Sequence, residues 1–324
     1  MRRREFVGLL GGAAAISSLW PLTAGAQPAK APTIGILLTG NPEPEVFLKV
    51  FRAALAELGY TDGQNVQLEV RSAEGNSSLL QERAADLVRL KVDIIVASLT
   101  PAILAAKQAT SDIPIVMAPA GEPVGTGLVV SLARPGGNVT GMSAATAELV
   151  GKSLELVRDA IPAARRVAVL ANEADPLSKP FLEQVDQGAR ALGFEVDVVM
   201  VRPESPLGAA FAAMASRQVD ALVVQGSLQR KELFDLAISH RLPSFSSNQQ
   251  VAATGGLVTY AANGAEIQRG AALFIDRILK GANPSDLPVM QPTKFELIIN
   301  LRTAKALGIS IPLALLGRAD EVIE

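Results

Sequence analysis

Short apolar runs alternate with helical patterns along most of this chain of 324 residues. The first run, Thr33 to Leu38, has the length and composition of a buried strand. The segment after it carries apolar residues on one helical face, namely Phe47, Phe51, Ala54 and Leu58. Strands that alternate with helices of this length form right-handed βαβ units around a parallel sheet. The alternation therefore restricts the chain to the α/β class.

The alternation runs in two series. The predicted strands of the first series are 33–38, 66–70, 92–96 and 113–117, and those of the second are 166–170, 195–201, 221–224 and 242–245. Two series of this length fit two doubly wound parallel sheets better than one very wide sheet. We therefore predict two α/β lobes.

A glycine-rich stretch, Gly121 to Ser143, separates the two series and holds six glycines. It contains neither the G-x-G-x-x-G spacing nor the Lys-Ser/Thr ending that a phosphate-binding loop requires. The residues after Gly137 have the pattern of a strand rather than of a helix. The stretch therefore predicts a loop, a short helical turn and a strand that passes from one lobe to the other, with glycine serving tight turns and close backbone approach.

Composition excludes several classes of function. The chain has no cysteine, which rules out a thiolate nucleophile, a zinc–thiolate site and a disulfide. Its formal net charge of −2 does not suggest a nucleic-acid partner. The single histidine, His240, is predicted at a helix end with its imidazole near the last carbonyls, and no G-x-S-x-G motif is present. We expect no enzymatic activity, no cofactor and no metal.

The first 26 residues have the pattern of an export signal. Arg2 to Arg4 form a basic start, Val7 to Leu22 is mostly apolar, and Ala24 to Ala26 supply small residues for cleavage. The order of residues 3–7 resembles a twin-arginine signal, although the general export route remains open. The apolar run is short and interrupted, which disfavours an uncleaved anchor. We predict a periplasmic protein that starts near Gln27 and, without cysteine, has no lipid anchor.

Three segments carry a resemblance to a known family. They are Pro123 to Ser143, which includes ARPGGNVTG; QPTKFELIIN at 291–300 with AKALG at 304–308; and the ending RADEVIE at 318–324. Together they resemble the periplasmic solute-binding proteins of ABC importers, in particular the tryptophan/tyrosine-type substrate-binding subfamily. The resemblance extends over essentially the whole chain after the export signal.

The resemblance implies the type I periplasmic binding fold, with three chain crossings between the lobes. Lobe 1 is then expected at 32–142 plus about 262–292, and lobe 2 at about 143–261 plus 293–324. The crossings are expected near Met142, Ala261 to Asn263 and Gln291 to Thr293. A small solute is then expected to bind in the cleft by hinge closure, and a monomeric receptor is expected to deliver it to an ABC permease and its ATPase. A periplasmic sensor that serves a receptor, or an enzyme on the same two-lobe fold, is the alternative.

Residues that follow the strands are the candidate ligand contacts, because ligands of parallel sheets lie beyond the carboxyl ends of the strands. The candidates are Thr39, Asn41, Ser98, Thr100, Ala120, Glu122, Gln225, Ser227, Ser247, Asn248 and Tyr260. The resemblance adds Asn172 and Ser178. The strongest candidate for binding a carboxylate is Thr100, predicted as the N-cap of a helix that starts at Pro101. Thr100 is either a ligand contact or only a helix cap, and both roles stay open.

Two of these candidates have a second interpretation each. Glu122 either holds an ammonium group or is a solvated loop acid, and Tyr260 either stacks with Phe245 on a flat ligand or belongs to the core. The ligand itself is expected to be an amino acid or another small aromatic or aliphatic carboxylate. Its identity stays open, because Glu122-Pro123-Val124 and Gln225-Gly226-Ser227 depart from the residues that many relatives carry.

Overall fold

The computed structural model describes residues 31–40, 44–202, 205–228 and 230–324, without the side chains of 44 and 146–148. The predicted export signal and Asn41 lie outside the described residues. In the part of the chain that is described, no helix is both long enough and apolar enough to cross a membrane.

The described residues form twelve strands and eleven α-helices. The strands are β1 (Thr33–Leu38), β2 (Gln67–Ser72), β3 (Ile94–Ser98), β4 (Ile115–Ala120), β5 (Val139–Ser143), β6 (Arg166–Asn172), β7 (Glu195–Val201), β8 (Ala221–Val224), β9 (Ser244–Ser246), β10 (Val258–Ala262), β11 (Phe295–Asn300) and β12 (Glu321–Ile323). The helices are α1 (Pro44–Ala56), α2 (Leu80–Arg89), α3 (Thr100–Ala109), α4 (Thr146–Ala160), α5 (Ser178–Leu192), α6 (Gly208–Ser216), α7 (Lys231–Ser239), α8 (Gln250–Ala253), α9 (Gly264–Leu279), α10 (Leu301–Leu307) and α11 (Leu313–Leu316).

Two sheets organise the fold. A five-stranded sheet has the order β2-β1-β3-β4-β5 and is parallel throughout. A seven-stranded sheet has the order β12-β11-β10-β9-β8-β6-β7. Successive residues of one strand enter opposite cores: Ile34 and Ile36 pack in one apolar cluster and Leu37 in another. Burial on both faces explains why the strands are apolar without interruption. The predicted α/β class with two parallel-dominated sheets is confirmed.

The pair β10 and β11 is antiparallel, in a sheet whose other pairs are parallel. After β10 the chain leaves the seven-stranded sheet and forms α9, which packs on α1, β4 and β5 of the five-stranded sheet. It then returns to pair Phe295 with Ala262, at the end of β10. Because β11 starts where β10 ends, the two strands must run in opposite directions.

The predicted elements match the observed ones most closely where the apolar pattern is clean. β1, β7 and β8 have the predicted bounds. The predicted strand 242–245 is instead Ser244–Ser246, and Pro243 before it has no N–H to donate to a ladder. β10, β11, β12 and α4 were not predicted as elements.

The glycine-rich stretch ends differently from the prediction. β5 pairs with β4 and belongs to the five-stranded sheet along its whole length. It is therefore not a strand that passes between the sheets, and the passage begins only after Ser143. The physical reason is the ladder itself, in which Ile115 pairs with Val139 and Met117 with Gly141.

The chain passes between the two sheets three times: after Ser143, after Ala262 and before Phe295. The third passage is bonded to the other two. The N–H of Ser143 donates to the carbonyl of Met290 (2.8 Å), and the N–H of Asn263 donates to the carbonyl of Lys294 (2.9 Å). These bonds hold the three connecting segments side by side.

Glu266, in the first turn of α9, fixes the third connection. Its carboxylate accepts the hydroxyl of Thr293 (2.7 Å) and the N–H groups of Thr293 (3.1 Å) and Lys294 (2.9 Å). Partial burial acts to raise the pKa of Glu266, but these donors together lower it below its ordinary value. The ionised form is therefore the one that stabilises the connection.

We expect Glu266→Gln to lower the free energy of unfolding by about 1 kcal/mol at pH 7, because charge-assisted hydrogen bonds are lost. A depressed pKa in the folded chain means that this contribution is present above the unfolded pKa, near 4.5, and is lost as the pH falls through the folded value. Urea unfolding at pH 7 and pH 3 measures the difference. Glu57→Gln, which removes an exposed pair with Arg269, is the control. An equal effect of Glu266→Gln at both pH values would contradict the prediction.

Candidate functional site

A cavity of about 860 Å³ lies where the carboxyl ends of the parallel strands of both sheets meet. From the five-stranded sheet it is lined by Ser98, which ends β3, and by Ala118 and Pro119 near the end of β4. From the seven-stranded sheet it is lined by Gln225 and Ser247, which directly follow β8 and β9. Ligands of open α/β sheets bind at this position.

One wall of the cavity is the N-terminus of α3. Leu99, at φ 70°, is the residue that precedes the helix, so Thr100 is the first helical residue and not the N-cap that was predicted. The Thr100 hydroxyl accepts the N–H of Gly121 (3.1 Å), and this bond fastens the segment after β4 to the helix. The first N–H groups of a helix have no intrahelical partners and carry a partial positive charge. This wall therefore suits an anionic group.

The opposite wall holds Asp175, a buried carboxylate in the connection between β6 and α5. Its oxygens accept the N–H of Leu177 (2.9 Å) and the amide Nε2 of Gln225 (3.0 Å). Burial raises the pKa of Asp175 above its ordinary value, while the bonds from Ser227 and Leu177 act to lower it. Burial makes the ionised form of this carboxyl unfavourable, so a cation brought into the cavity would stabilise that form strongly.

Gln225 organises this wall. Its Oε1 accepts the N–H of Asn172 and the hydroxyl of Ser178, both at 2.8 Å, while its Nε2 donates to Asp175. The bond from the Asn172 N–H fixes the orientation of the amide, since a backbone donor requires oxygen at that position. Gln225 is fully buried and has no freedom to exchange its two ends. It thereby holds Asp175 at the cavity surface.

The two walls touch. A Cβ atom on Gly121 would lie 2.5 Å from the Leu177 side chain, which belongs to the segment that leads into α5. Thr100 binds Gly121, and Asp175 binds Leu177, so the helix end and the buried carboxyl face each other across a narrow gap. A ligand with an anion next to a cation is able to contact both.

We expect Gly121→Val to weaken ligand binding by roughly tenfold, because the larger side chain holds the two walls apart. The free energy of unfolding should change by less than about 1 kcal/mol, because the two walls are able to separate about the three connections without unfolding either sheet. Calorimetric titration and thermal unfolding measure the two quantities. The control is Gly125→Ala, where the added Cβ would have no neighbour closer than 3.5 Å. Unchanged affinity in Gly121→Val would mean that the walls do not need to close.

The floor of the cavity, at the connecting segments, is a network of amides and one carboxylate. Gln249 Nε2 donates to Glu296 (2.9 Å), and Gln249 Oε1 accepts the N–H of Gly264 (3.0 Å). Asn263 Nδ2 also donates to Glu296, and its Oδ1 accepts the N–H of Glu266 as the N-cap of α9. The network joins the strand β11 to the start of α9.

Charges along the cavity are mostly negative in the described residues. Asp175, Glu296 and Glu321 line it, and the lining lysine, Lys231, is paired with Asp235 at 2.6 Å. An acidic lining favours a ligand that carries a positive group.

The structure brings together about half of the predicted ligand residues. Those that line the cavity are Ser98, Thr100, Gln225, Ser227, Ser247 and Asn248. Those that do not line it are Thr39, Ala120, Glu122, Asn172, Ser178 and Tyr260.

Each of these other residues has a different position. The Thr39 hydroxyl donates to the carbonyl of Ser98 (2.9 Å), which supports the end of β3. Asn172 and Ser178 each donate a hydrogen bond to Oε1 of Gln225, which itself lines the cavity. Tyr260 stacks on Phe295 with ring centroids 5.9 Å apart.

Ala120 and Glu122 accept hydrogen bonds through their backbone carbonyls. The Ala120 carbonyl accepts the N–H of Ala144 (2.6 Å), and the Glu122 carbonyl accepts the N–H and hydroxyl of Thr126.

Outside the cavity, the ring of His240 lies 5.7 Å from the ring of Phe211. The backbone N–H of His240, rather than its imidazole, donates to the carbonyl of Leu236. The described residues contain no group of three His, Cys, Asp or Glu side chains placed to hold a metal.

Sequence reasoning missed Asp175, Gln249, Gln268 and Phe47, which all line the cavity. Asp175 had a signal, because Asp-Pro stands between the end of β6 and the start of α5. Phe47 and Gln268 had none, since they lie on helices and face the cavity only because α1 and α9 pack together.

The sequence matches a protein family and a known relative over most of its length. Residues 45–323 match the family model described as ABC transporter substrate binding protein. A tyrosine-binding protein of Clostridioides difficile (strain R20291) is 30% identical over 283 residues, which are 86% of this chain and 81% of that protein.

Two solved structures give a measure of overall likeness. The ABC domain in complex with L-Trp from Streptococcus pneumonia has a TM-score of 0.81 at 30% identity, over 90% of this chain and 99% of that one. The ligand-free, open structure of a substrate-binding protein with adhesive properties from Clostridium difficile has a TM-score of 0.63 at 26% identity, over 90% and 99%.

Proposed function

Since this chain belongs to the ABC transporter substrate-binding protein family and has the type I periplasmic binding fold, we propose that it captures an amino acid in the cavity between its two sheets. The observation that carries the proposal is the placement of a helix N-terminus opposite a buried carboxyl, across the gap that Gly121 and Leu177 close.

In this proposal the ligand is a zwitterion. Its carboxylate binds at the first turn of α3, beside Ser98 and Thr100, where N–H groups and hydroxyls converge. Its ammonium group binds Asp175, whose ionised form it stabilises in the buried setting. The acidic lining supports this orientation, because it disfavours a ligand with anionic character alone.

The ligand side chain is aromatic in this proposal. The relatives named for their ligands bind tyrosine or L-Trp. The cavity offers matching apolar walls in the side chains of Phe47, Val50, Leu149, Phe181 and Ile267. A volume of about 860 Å³ is within the range of small-molecule sites and has room for an aromatic amino acid.

Binding proceeds by closure of the two sheets, with their helices, as lobes that turn about the three connections. Support comes from the likeness to solved structures, which is greater for the complex with L-Trp than for the ligand-free, open structure (TM-score 0.81 against 0.63). The contact between Gly121 and Leu177 belongs to such a closed arrangement. A ligand that binds both walls stabilises it by its differential affinity.

Export and delivery complete the proposal. The first 26 residues direct the chain to the periplasm and are cleaved, and the loaded receptor then docks on an ABC permease driven by its ATPase. Membership of the family supports this partner.

The test is a calorimetric titration of the chain from Gln27 onward with L-tryptophan, L-tyrosine and L-leucine. Tryptamine, which lacks the carboxylate, and indole-3-propionate, which lacks the ammonium, are the matched controls. We expect the aromatic amino acids to bind and both controls to bind at least tenfold more weakly. A ligand at 100 times its Kd should add about 2.7 kcal/mol to the free energy of unfolding. Equal binding of indole-3-propionate would exclude the role given to Asp175.

A further inference from the structure

Gln268 on α9 is a buried polar side chain of the cavity, and its hydrogen bonding is incomplete. It lines the cavity, is only 9% exposed, and its amide oxygen Oε1 has no hydrogen-bond partner among the described residues. The other amides near it are satisfied: Gln249 and Asn263 share Glu296, and each also accepts a backbone N–H. A buried amide oxygen without a donor is unfavourable, so a position such as this one calls for a donor.

Gln268 stands on α9 beside an apolar wall of the cavity. Ile267 next to it shares one apolar cluster with Phe47 and Ala118, and all three line the cavity. These residues come from α9, α1 and β4, which pack together. Phe47 and Ile267 belong to other elements than the end of α3 and Asp175, so this wall offers further lining to the side chain of a ligand held by its charged groups at that pair. An apolar wall with one unsatisfied acceptor fits a side chain that is apolar along its length and ends in an N–H or O–H.

We propose that Gln268 is a specificity-determining residue that accepts a hydrogen bond from the side chain of the ligand. The inference rests on the proposed amino-acid function and adds the ligand class: amino acids whose large apolar side chain carries a hydrogen-bond donor, in preference to the hydrocarbon of the same shape. A site built to bond a donor rejects the analogue without it, because the acceptor then stays buried and unpaired. A purely apolar pocket would distinguish the two only weakly.

The experiment uses two ligand pairs that differ in the donor alone: L-tyrosine with L-phenylalanine, and L-tryptophan with 1-methyl-L-tryptophan. Calorimetric titration gives the affinity ratio within each pair. For the unaltered chain we expect the member with the donor to bind at least tenfold more tightly in one of the two pairs. In Gln268→Met, which keeps the length of the side chain and removes the acceptor, that ratio should fall to within about threefold. In Gln268→Glu, which keeps an acceptor at the same place, the preference should persist.

Thr259→Val is the matched control. The Thr259 hydroxyl is also buried and has no partner among the described residues, but it lies in β10 and does not line the cavity. Its removal should leave both ratios unchanged. A thermal unfolding curve for each variant shows that it is folded.

The outcomes separate the inference from the function on which it rests. If the amino acids bind but the ratio is the same in the unaltered chain and in Gln268→Met, the acceptor contacts no ligand donor, as would be the case if it bonds only an ordered water, and the inference is overturned. If no member of either pair binds to the folded chain, the proposed aromatic amino-acid function fails, and the inference fails with it.

Discussion

Asp175→Asn should lower the affinity for an amino-acid ligand by about a hundredfold, since in the proposed function the change removes the charge that faces the ammonium group in a buried setting. Burial raises the pKa of Asp175, so its ionised form is costly to the folded chain until a cation is bound. Asparagine removes that cost but has one acceptor oxygen in place of two, so either Gln225 Nε2 or the N–H of Leu177 faces a donor. The two effects on the free energy of unfolding oppose each other, and we expect a net change within about 1 kcal/mol. Calorimetric titration and urea unfolding measure the two quantities.

The matched control is Glu173→Gln, two residues earlier in the same connection. Glu173 is exposed, pairs with Arg202 at 3.1 Å, and does not line the cavity. Its replacement should change the affinity by less than about twofold. A ligand without the ammonium group, such as indole-3-propionate, should bind Asp175→Asn no more weakly than the unaltered chain. A loss of affinity for that ligand as large as for the amino acid would indicate general damage to the cavity.

Gly141→Ala should lower the free energy of unfolding by about 3 kcal/mol or more. Gly141 has φ +127°, a conformation that L side chains rarely adopt. A Cβ atom there would also lie 2.5 Å from the backbone N and 2.6 Å from the backbone O of Met117. Met117 belongs to β4 in the middle of the core, so neither strand is able to move away. Thermal unfolding should show a decrease in Tm of roughly 5 °C or more.

Gly137→Ala tests whether the effect belongs to the position rather than to glycine content. Gly137 lies in the same glycine-rich stretch, but a Cβ atom on it would have no neighbour within 4 Å. We expect a change of less than about 1 kcal/mol in the free energy of unfolding. If both substitutions had the same small effect, the close approach between β4 and β5 would not be a constraint on the fold.

The sequence by itself determined the class of fold, because the strands of a parallel sheet are buried on both faces and leave continuous apolar runs. It also predicted candidate ligand residues, since the residues at and after the ends of β3 and β8 lie at the carboxyl edge of a sheet whatever the final packing. Ser98, Thr100 and Gln225 follow from that rule, and all three line the cavity. The resemblance to a family was readable in the glycine-rich stretch and in the C-terminal tail.

Only the tertiary structure decided which side chains line the cavity and which hold those side chains in place by hydrogen bonds. Asn172 ends β6 and Gln225 directly follows the neighbouring strand β8, so the two positions are similar in the sequence. Yet Gln225 lines the cavity, whereas Asn172 does not line it and donates its backbone N–H to Gln225. Asp175, Phe47 and Gln268 belong to the cavity because α1, α9 and the connection before α5 pack around it. A local pattern records the burial of a residue within its own helix or strand. It does not record which distant segment covers that residue, because contacts of high sequence separation depend on how the two sheets and their three connections are arranged in space.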